Sequence, residues 1–296
     1  MAIVILFGAG ASYGSAATLP YPPPLGNQLF NELEKLNGVA AKIPDDLKSV
    51  FRENFEKGMS EYYIHANGDV MAFQREMGGY FSKFTPLIRN NYIKLIKSLA
   101  REDVIYSSLN YDLLFEISAE KSHFLTHYSN KKHPMAQRLL KIHGSSNFWP
   151  QIKGLTMRGC KFTNGVDADI DFPIETVNQS QAIKLSMTED SLAPAMAMFL
   201  EGKNVRVSPF FVKEQYRMWC DSVLNASKVF IIGVRVHLVD THIWGILGRT
   251  TADINYFGFP ADKSDFSSWK ISSKKQNAYF HQSDFSSSIN KIRSLI

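Results

Sequence analysis

The sequence predicts an α/β fold, a Rossmann-like doubly wound parallel sheet carrying a helical insertion module, and three observations lead there. Short apolar runs recur at residues 3–7, 103–112, 139–144, 228–233 and 252–258, as expected of strands buried on both faces of a parallel sheet. Segments with helical spacing separate them, and strand–helix alternation is the pattern of a sheet covered on both sides. The first run also ends in a Gly-x-Gly turn, Gly8-Ala9-Gly10, which leads into a helix.

Taken in order, residues 3–7 form the first strand, and Gly8 to Ser12 turn the chain into helix. Residues 19–26 read Leu-Pro-Tyr-Pro-Pro-Pro-Leu-Gly. Their prolines lack N–H donors and fix φ, so the stretch is a stiff loop beside the glycine turn. From about 28 to 100 apolar residues return every three or four positions, as in Leu29-Phe30-Leu33 and from Ile88 through Leu99. This is the insertion, with the aromatics between Tyr62 and Phe84 as its core and a last helix returning to the sheet. A strand from Asp103 ends in the polar run to Asp112, and the helix around Leu113–Phe115 follows. Another strand closes at His143-Gly144. Residues 145–200 read as irregular. Helix is expected over 210–226, strand over 228–233, and helix again from Asp240, placed as its N-cap. The whole chain, 1–296, reads as a single domain.

Composition narrows the function classes. At 45% hydrophobic and 21% charged residues the chain can bury a large core and is not a disordered segment. Its net charge of +5 has no dense basic block behind it. Lys131-Lys132-His133 and Lys274-Lys275 read as solvated loops, so direct nucleic-acid binding is not expected. No apolar run approaches the ~20 residues of a membrane span, and the apolar opening lacks a basic leader, so a cytoplasmic protein without membrane attachment is expected. Two cysteines, Cys160 and Cys220, are too few for a structural zinc site, and no metal is expected.

The glycine turn by itself is a weak signal. It departs from the dehydrogenase fingerprint, since Tyr13 stands where the third glycine belongs and no strand ends in an acid ~20 residues on. No Gly-Lys-Ser/Thr phosphate loop follows either. Three later features add weight: Asn110-Tyr111-Asp112 where a strand meets a helix, His143-Gly144 at the end of the next strand, and Gly233 closing another with Asp240 and His242 behind it. All lie where open α/β sheets bind ligands. Read singly, Asn110 serves as a turn residue, Asp112 as a helix cap, His143 as a hydrogen-bonded edge residue and His242 as a helix-face residue.

Together, Gly8-Ala9-Gly10-Ala11-Ser12, Asn110-Tyr111-Asp112 and His143-Gly144 resemble the sirtuin family in order and separation, specifically its zinc-free bacterial branch of antiphage NAD hydrolases. The resemblance implies that Gly8, Ala9, Gly10 and Ser12 cradle the NAD pyrophosphate. It implies that Asn110 orients the nicotinamide ribose and the attacking water, that His143 is the general base, and that Asp112 holds the loop and ribose. The chain lacks the two Cys-x-x-Cys zinc pairs of the deacetylating members. The proline run replaces their arginine-bearing loop. Gly233-Val234-Arg235 replaces their late Gly-x-Ser turn, which puts Arg235 at a phosphate.

What the resemblance implies is NAD+ hydrolysis to ADP-ribose and nicotinamide in antiphage defence, with NAD as substrate and no zinc. A homo-oligomer and a HerA-type ATPase or helicase partner are expected with it. The alternatives are an NAD-dependent deacylase or ADP-ribosyltransferase and, in another class, a non-catalytic module that binds NAD or ADP-ribose.

Overall fold

The computed structural model describes residues 2–152, 159–160, 171–197, 207–237 and 240–296. Its centre is a seven-stranded sheet. Across the sheet the strands run Ala278–Gln282, Asp253–Gly258, Lys228–Ile232, Ile3–Phe7, Val104–Ser108, Ala136–Lys141 and Leu125–His127. Every neighbouring pair is parallel. The first strand is central, paired with Val104–Ser108 on one side and Lys228–Ile232 on the other. The winding therefore reverses beside it, and a crevice opens at the carboxyl ends of these strands.

The period-2 alternation of a strand decides where each side chain of Ile3–Phe7 goes. Ile3, Ile5 and Phe7 enter one core, while Val4 and Leu6 enter the other. The second core holds Trp219, Trp244 and Trp269, brought by the helices Pro209–Leu224, Thr241–Arg249 and Lys263–Ser272. The first continues into the region between the first two central strands. There the helices Gly26–Glu34, Asp45–Glu53, Phe55–His65, Met71–Ser82 and Asn91–Ser98 pack together. Phe51 stacks between Phe30 and Phe73, with centroids 4.5 and 5.6 Å away and planes within 14° of parallel. Tyr62 packs on Phe73 with ring centroids 5.2 Å apart, and Tyr80, Phe81 and Phe84 are buried in the same core. At the return to the sheet, Asn90 caps the last of these helices by accepting from the Tyr92 N–H at 3.0 Å.

The structure corrects the sequence reading at several points. The segment 145–200, expected to be irregular, contains the helix Gln179–Thr188 and an antiparallel pair, Phe148–Pro150 with Ile174–Thr176. Asn178 and Gln181 form a reciprocal capping box at the start of that helix. The edge strands Leu125–His127 and Ala278–Gln282 and the helix Phe285–Leu295 complete elements that periodicity had not revealed. The strand expected over 139–144 is Ala136–Lys141, because the chain turns at Gly144 with φ +81°. Asp240 stands at the N-cap of Thr241–Arg249, but its side chain makes no capping bond.

Lys275, expected in a solvated loop, is only 5% exposed. Its ammonium donates to the carbonyl oxygens of Thr250 and Ala252, and burial lowers its pKa. Lys132 does lie at the surface, ion-paired with Asp103 at 2.9 Å. Among the described residues, no helix is long and apolar enough to cross a membrane.

Candidate functional site

Four strands end at the crevice, and each delivers one of the segments singled out from the sequence. Gly8–Ser12 follows Ile3–Phe7, Asn110–Asp112 follows Val104–Ser108, His143-Gly144 follows Ala136–Lys141, and Gly233–Arg235 follows Lys228–Ile232. Parallel pairing in register brings them to one edge of the sheet.

The glycines at this edge answer first to one another. The Gly8 N–H donates to the Ile232 carbonyl at 3.0 Å and the Gly10 N–H to the Gly233 carbonyl at 2.9 Å. A Cβ at Gly8 would lie 2.4 Å from the Gly233 oxygen. One at Gly233, where φ is +66°, would lie 2.0 Å from the Ala11 nitrogen. Two backbone turns touch here with no room for a side chain, so glycine is required before any ligand is considered. Ala9 is exposed at the top of the turn.

Asn110 joins the glycine turn to the next strand end. Its side-chain amide donates to the Gly8 carbonyl at 2.9 Å and to Ser12 Oγ at 2.8 Å. Ser12 Oγ pairs in turn with the Tyr92 hydroxyl at 3.1 Å, and all three residues are buried. Burial pushes the Tyr92 phenol well above its usual pKa, so it stays neutral and available as a hydrogen-bond donor. With Nδ2 committed to Gly8 and Ser12, the amide's orientation is set and Oδ1 is its remaining polar end. The Ser12 side chain thus works inside the wall of the site. Asp112 Oδ1 accepts from the Leu114 N–H at 3.0 Å, a local turn just ahead of the helix Leu114–Glu120, whose N-cap position is Leu113.

His143, 5% exposed, places Nε2 3.0 Å from Nε2 of His242. His242 lies in the first turn of Thr241–Arg249, and its carbonyl accepts from the Tyr216 hydroxyl at 2.9 Å. A segment from the far side closes over the His143-Gly144 turn. The Ala197 N–H donates to the His143 carbonyl at 2.8 Å, and Gly144 bridges to Met196. Gln74 of the inserted helices holds that segment through the carbonyls of Pro194 and Met196. Arg235 is exposed beyond Gly233.

Beneath the site lies a buried charge pair that sequence reasoning did not single out. The Lys141 ammonium, 1% exposed, donates to the Asp112 carbonyl at 2.7 Å and meets Glu116 Oε1 at 3.3 Å. Burial raises the Glu116 pKa although the Lys141 charge opposes it. A lysine inside the apolar run Leu139-Leu140-Lys141-Ile142 was the available signal. For His242 the signal was a histidine in the first helical turn after a strand that ends at the same edge.

Among the described residues, no group of three or more His, Cys, Asp or Glu side chains is placed to hold a metal ion. Cys160 and Cys220 are not joined by a disulfide.

The fold and site together define a Rossmann-like α/β protein with a built, amide- and imidazole-lined edge at its topological switch point. No family model matches the sequence, and no curated protein matches it. Among solved structures the chain is similar to a sirtuin studied for the structural basis of its substrate affinity, at 14% identity and a TM-score of 0.47, over 99% of this chain and 93% of that one. It is similar to a Sir2 homologue in complex with NAD at 14% identity and a TM-score of 0.45, over 99% and 88%. A Sir2-homologue variant bound to ADP-ribose matches at 14% identity and a TM-score of 0.46, over 99% and 90%.

Proposed function

We propose that this protein is an NAD+ hydrolase that releases nicotinamide and ADP-ribose. The observation that carries the reading is the fixed amide of Asn110, bonded to Gly8 and Ser12 at the switch-point edge that also receives His143. Departure of cationic nicotinamide leaves positive charge on the ribose at C1′. A site for this reaction has to hold the sugar, orient water and accept a proton without adding positive charge of its own. A carboxamide orients water while remaining neutral, and an imidazole accepts a proton near neutral pH. Asn110 Oδ1 supplies the first function and His143 the second. In this reading the turn Gly8, Ala9, Gly10 faces the pyrophosphate, Asp112 holds the Asn110 loop beside the ribose, and exposed Arg235 after Gly233 meets a phosphate.

The wider setting rests on the sequence resemblance alone. It is an NAD-depleting antiphage enzyme, cytoplasmic, assembled as a homo-oligomer and controlled by a HerA-type ATPase or helicase partner, with no zinc. The absence of Cys-x-x-Cys pairs favours hydrolysis over deacylation.

The test is nicotinamide release from NAD+ by wild type, Asn110→Ala and His143→Ala, with and without the product of the neighbouring gene. Release that disappears in both variants supports the hydrolase. NAD binding with no release in any setting overturns it in favour of a non-catalytic NAD-binding module. Turnover of an acetyl-lysine peptide or an acceptor protein selects the deacylase or transferase.

A further inference from the structure

In the proposed reaction His143 acts as the base, and its ring is held by a second histidine. A bond between two Nε2 atoms at 3.0 Å requires one donor and one acceptor. When His143 is the donor, its proton sits on Nε2 and the lone pair is on its other nitrogen, Nδ1. That is the tautomer a general base needs. Once Nδ1 gains a proton, the Nε2–H of the imidazolium points at a neutral acceptor, and such charge-assisted bonds are about twice as strong as neutral ones.

We infer that His242 is a positioning residue for His143, holding its ring through the Nε2–Nε2 bond and, with His143 as the donor, sharing the charge that His143 gains. The inference rests on the hydrolase reading. Its proton balance is simple. Attacking water loses one proton to His143 Nδ1 as the C1′–oxygen bond forms and the C1′–nicotinamide bond breaks. The Nε2 proton then shifts along the bond to His242, so the pair carries one added proton in total.

The placement of His242 is itself built. It lies in the first turn of its helix, where Ile243 and Trp244 anchor the inner face in the core. The Tyr216 hydroxyl holds its carbonyl, and the Tyr216 ring lies 6.2 Å from the imidazole. Among the described residues, the titratable groups on the elements around the pair include Arg249, at the end of the helix that carries His242. Tyr216 and Cys220 come from Pro209–Leu224, Asp240 heads the helix that carries His242, and Lys141 with Glu116 lies under the strand that carries His143. Burial pushes Tyr216 up to about 12 and raises Cys220 as well, so neither changes charge where histidines titrate.

The experiment follows nicotinamide release by wild type, His242→Ala and His242→Gln from about pH 5 to about pH 9, with NAD affinity and Tm measured on each variant. His242→Ala is expected to bind NAD normally, to lose on the order of tenfold or more in rate, and to move the acid limb to lower pH, because the imidazolium has lost its acceptor. His242→Gln, which still accepts a hydrogen bond, is expected to recover part of the rate. Wild-type rate and acid limb in both variants overturn the inference, and so does a slower His242→Ala whose acid limb has not moved. Wild type that releases no nicotinamide overturns the hydrolase reading instead. The pair is then judged by the ¹⁵N resonances of labelled histidines: coupled titration of the two rings supports it, and independent titration overturns it.

Discussion

The Lys141 ammonium donates to the carbonyl oxygen of Asp112 at 2.7 Å, so the strand that leads to His143 holds the loop that carries Asn110. Glu116, its side chain 11% exposed, balances the charge at 3.3 Å. Two halves of the candidate site are thereby tied through one buried cation, and this tie can be tested.

Lys141→Met removes the cation and leaves Glu116 buried without its partner. Breaking a buried pair from one side costs about 3–5 kcal/mol. Lys141→Met is expected to lower stability by that order in urea unfolding, and Lys141→Met/Glu116→Leu to regain much of it. Glu116 also sets a pH slope. Its pKa is raised on folding, so the native state binds more protons between the ordinary glutamate value and the raised one. Stability therefore falls as pH rises through that window. Unfolding curves for Glu116→Gln should lack this slope.

Asn110→Ala removes two donors, whereas Asn110→Asp replaces the donor facing the Gly8 carbonyl with an acceptor. Both variants should lose nicotinamide release. Asn110→Asp should be the less stable of the two, by about 1–2 kcal/mol, because it sets two acceptors against each other in a buried place. Thermal unfolding of the pair decides it, and equal Tm values would show that the amide orientation carries no weight.

For Asp112 the structural and ligand roles separate cleanly. The turn bond from the Leu114 N–H survives in Asp112→Asn, since an amide oxygen also accepts. Asp112→Asn should keep the wild-type Tm, and Asp112→Ala, which loses that hydrogen bond, should lose about 1 kcal/mol. A drop in NAD affinity for Asp112→Asn at unchanged Tm, read by calorimetry, is the expected sign of contact with the ribose. Unchanged affinity would leave Asp112 as a turn residue alone.

Lys275→Met leaves the Thr250 carbonyl without its donor, while Ala252 keeps the Asn277 amide at 2.9 Å, at a cost of about 1–3 kcal/mol. Because burial lowers the Lys275 pKa, the unfolded chain binds more protons between the folded value and the ordinary value of 10.5. Wild-type stability should then rise with pH across that interval. Lys275→Met should be flat there, which chemical denaturation at alkaline pH will show.

Local sequence was sufficient for the central strands and for the place of Asn110 and His143. Apolar runs can be read without knowing their neighbours, and the residues that end parallel strands must gather at one edge. The same logic marked Gly233. The reason for its being glycine was not legible, because it lies in the backbone of a turn more than 220 residues away. The capping box at Asn178 and Gln181 was present in the letters, but the helix behind it has a single buried residue, Ala182, and so no apolar stripe to announce it.

By itself, then, the sequence determined the α/β class, the order of the central strands along the chain, and which segments meet at the carboxyl edge. Those follow from the side-chain period of a strand and from glycine and proline chemistry, which act over a few residues. Only the tertiary structure decided that His242 faces His143, that Ser12 turns inward to Tyr92 and Asn110, and that Lys141 and Lys275 are buried. Each of these is a contact between groups at least 23 positions apart, set by how helices seat on the sheet, and no local pattern specifies that seating.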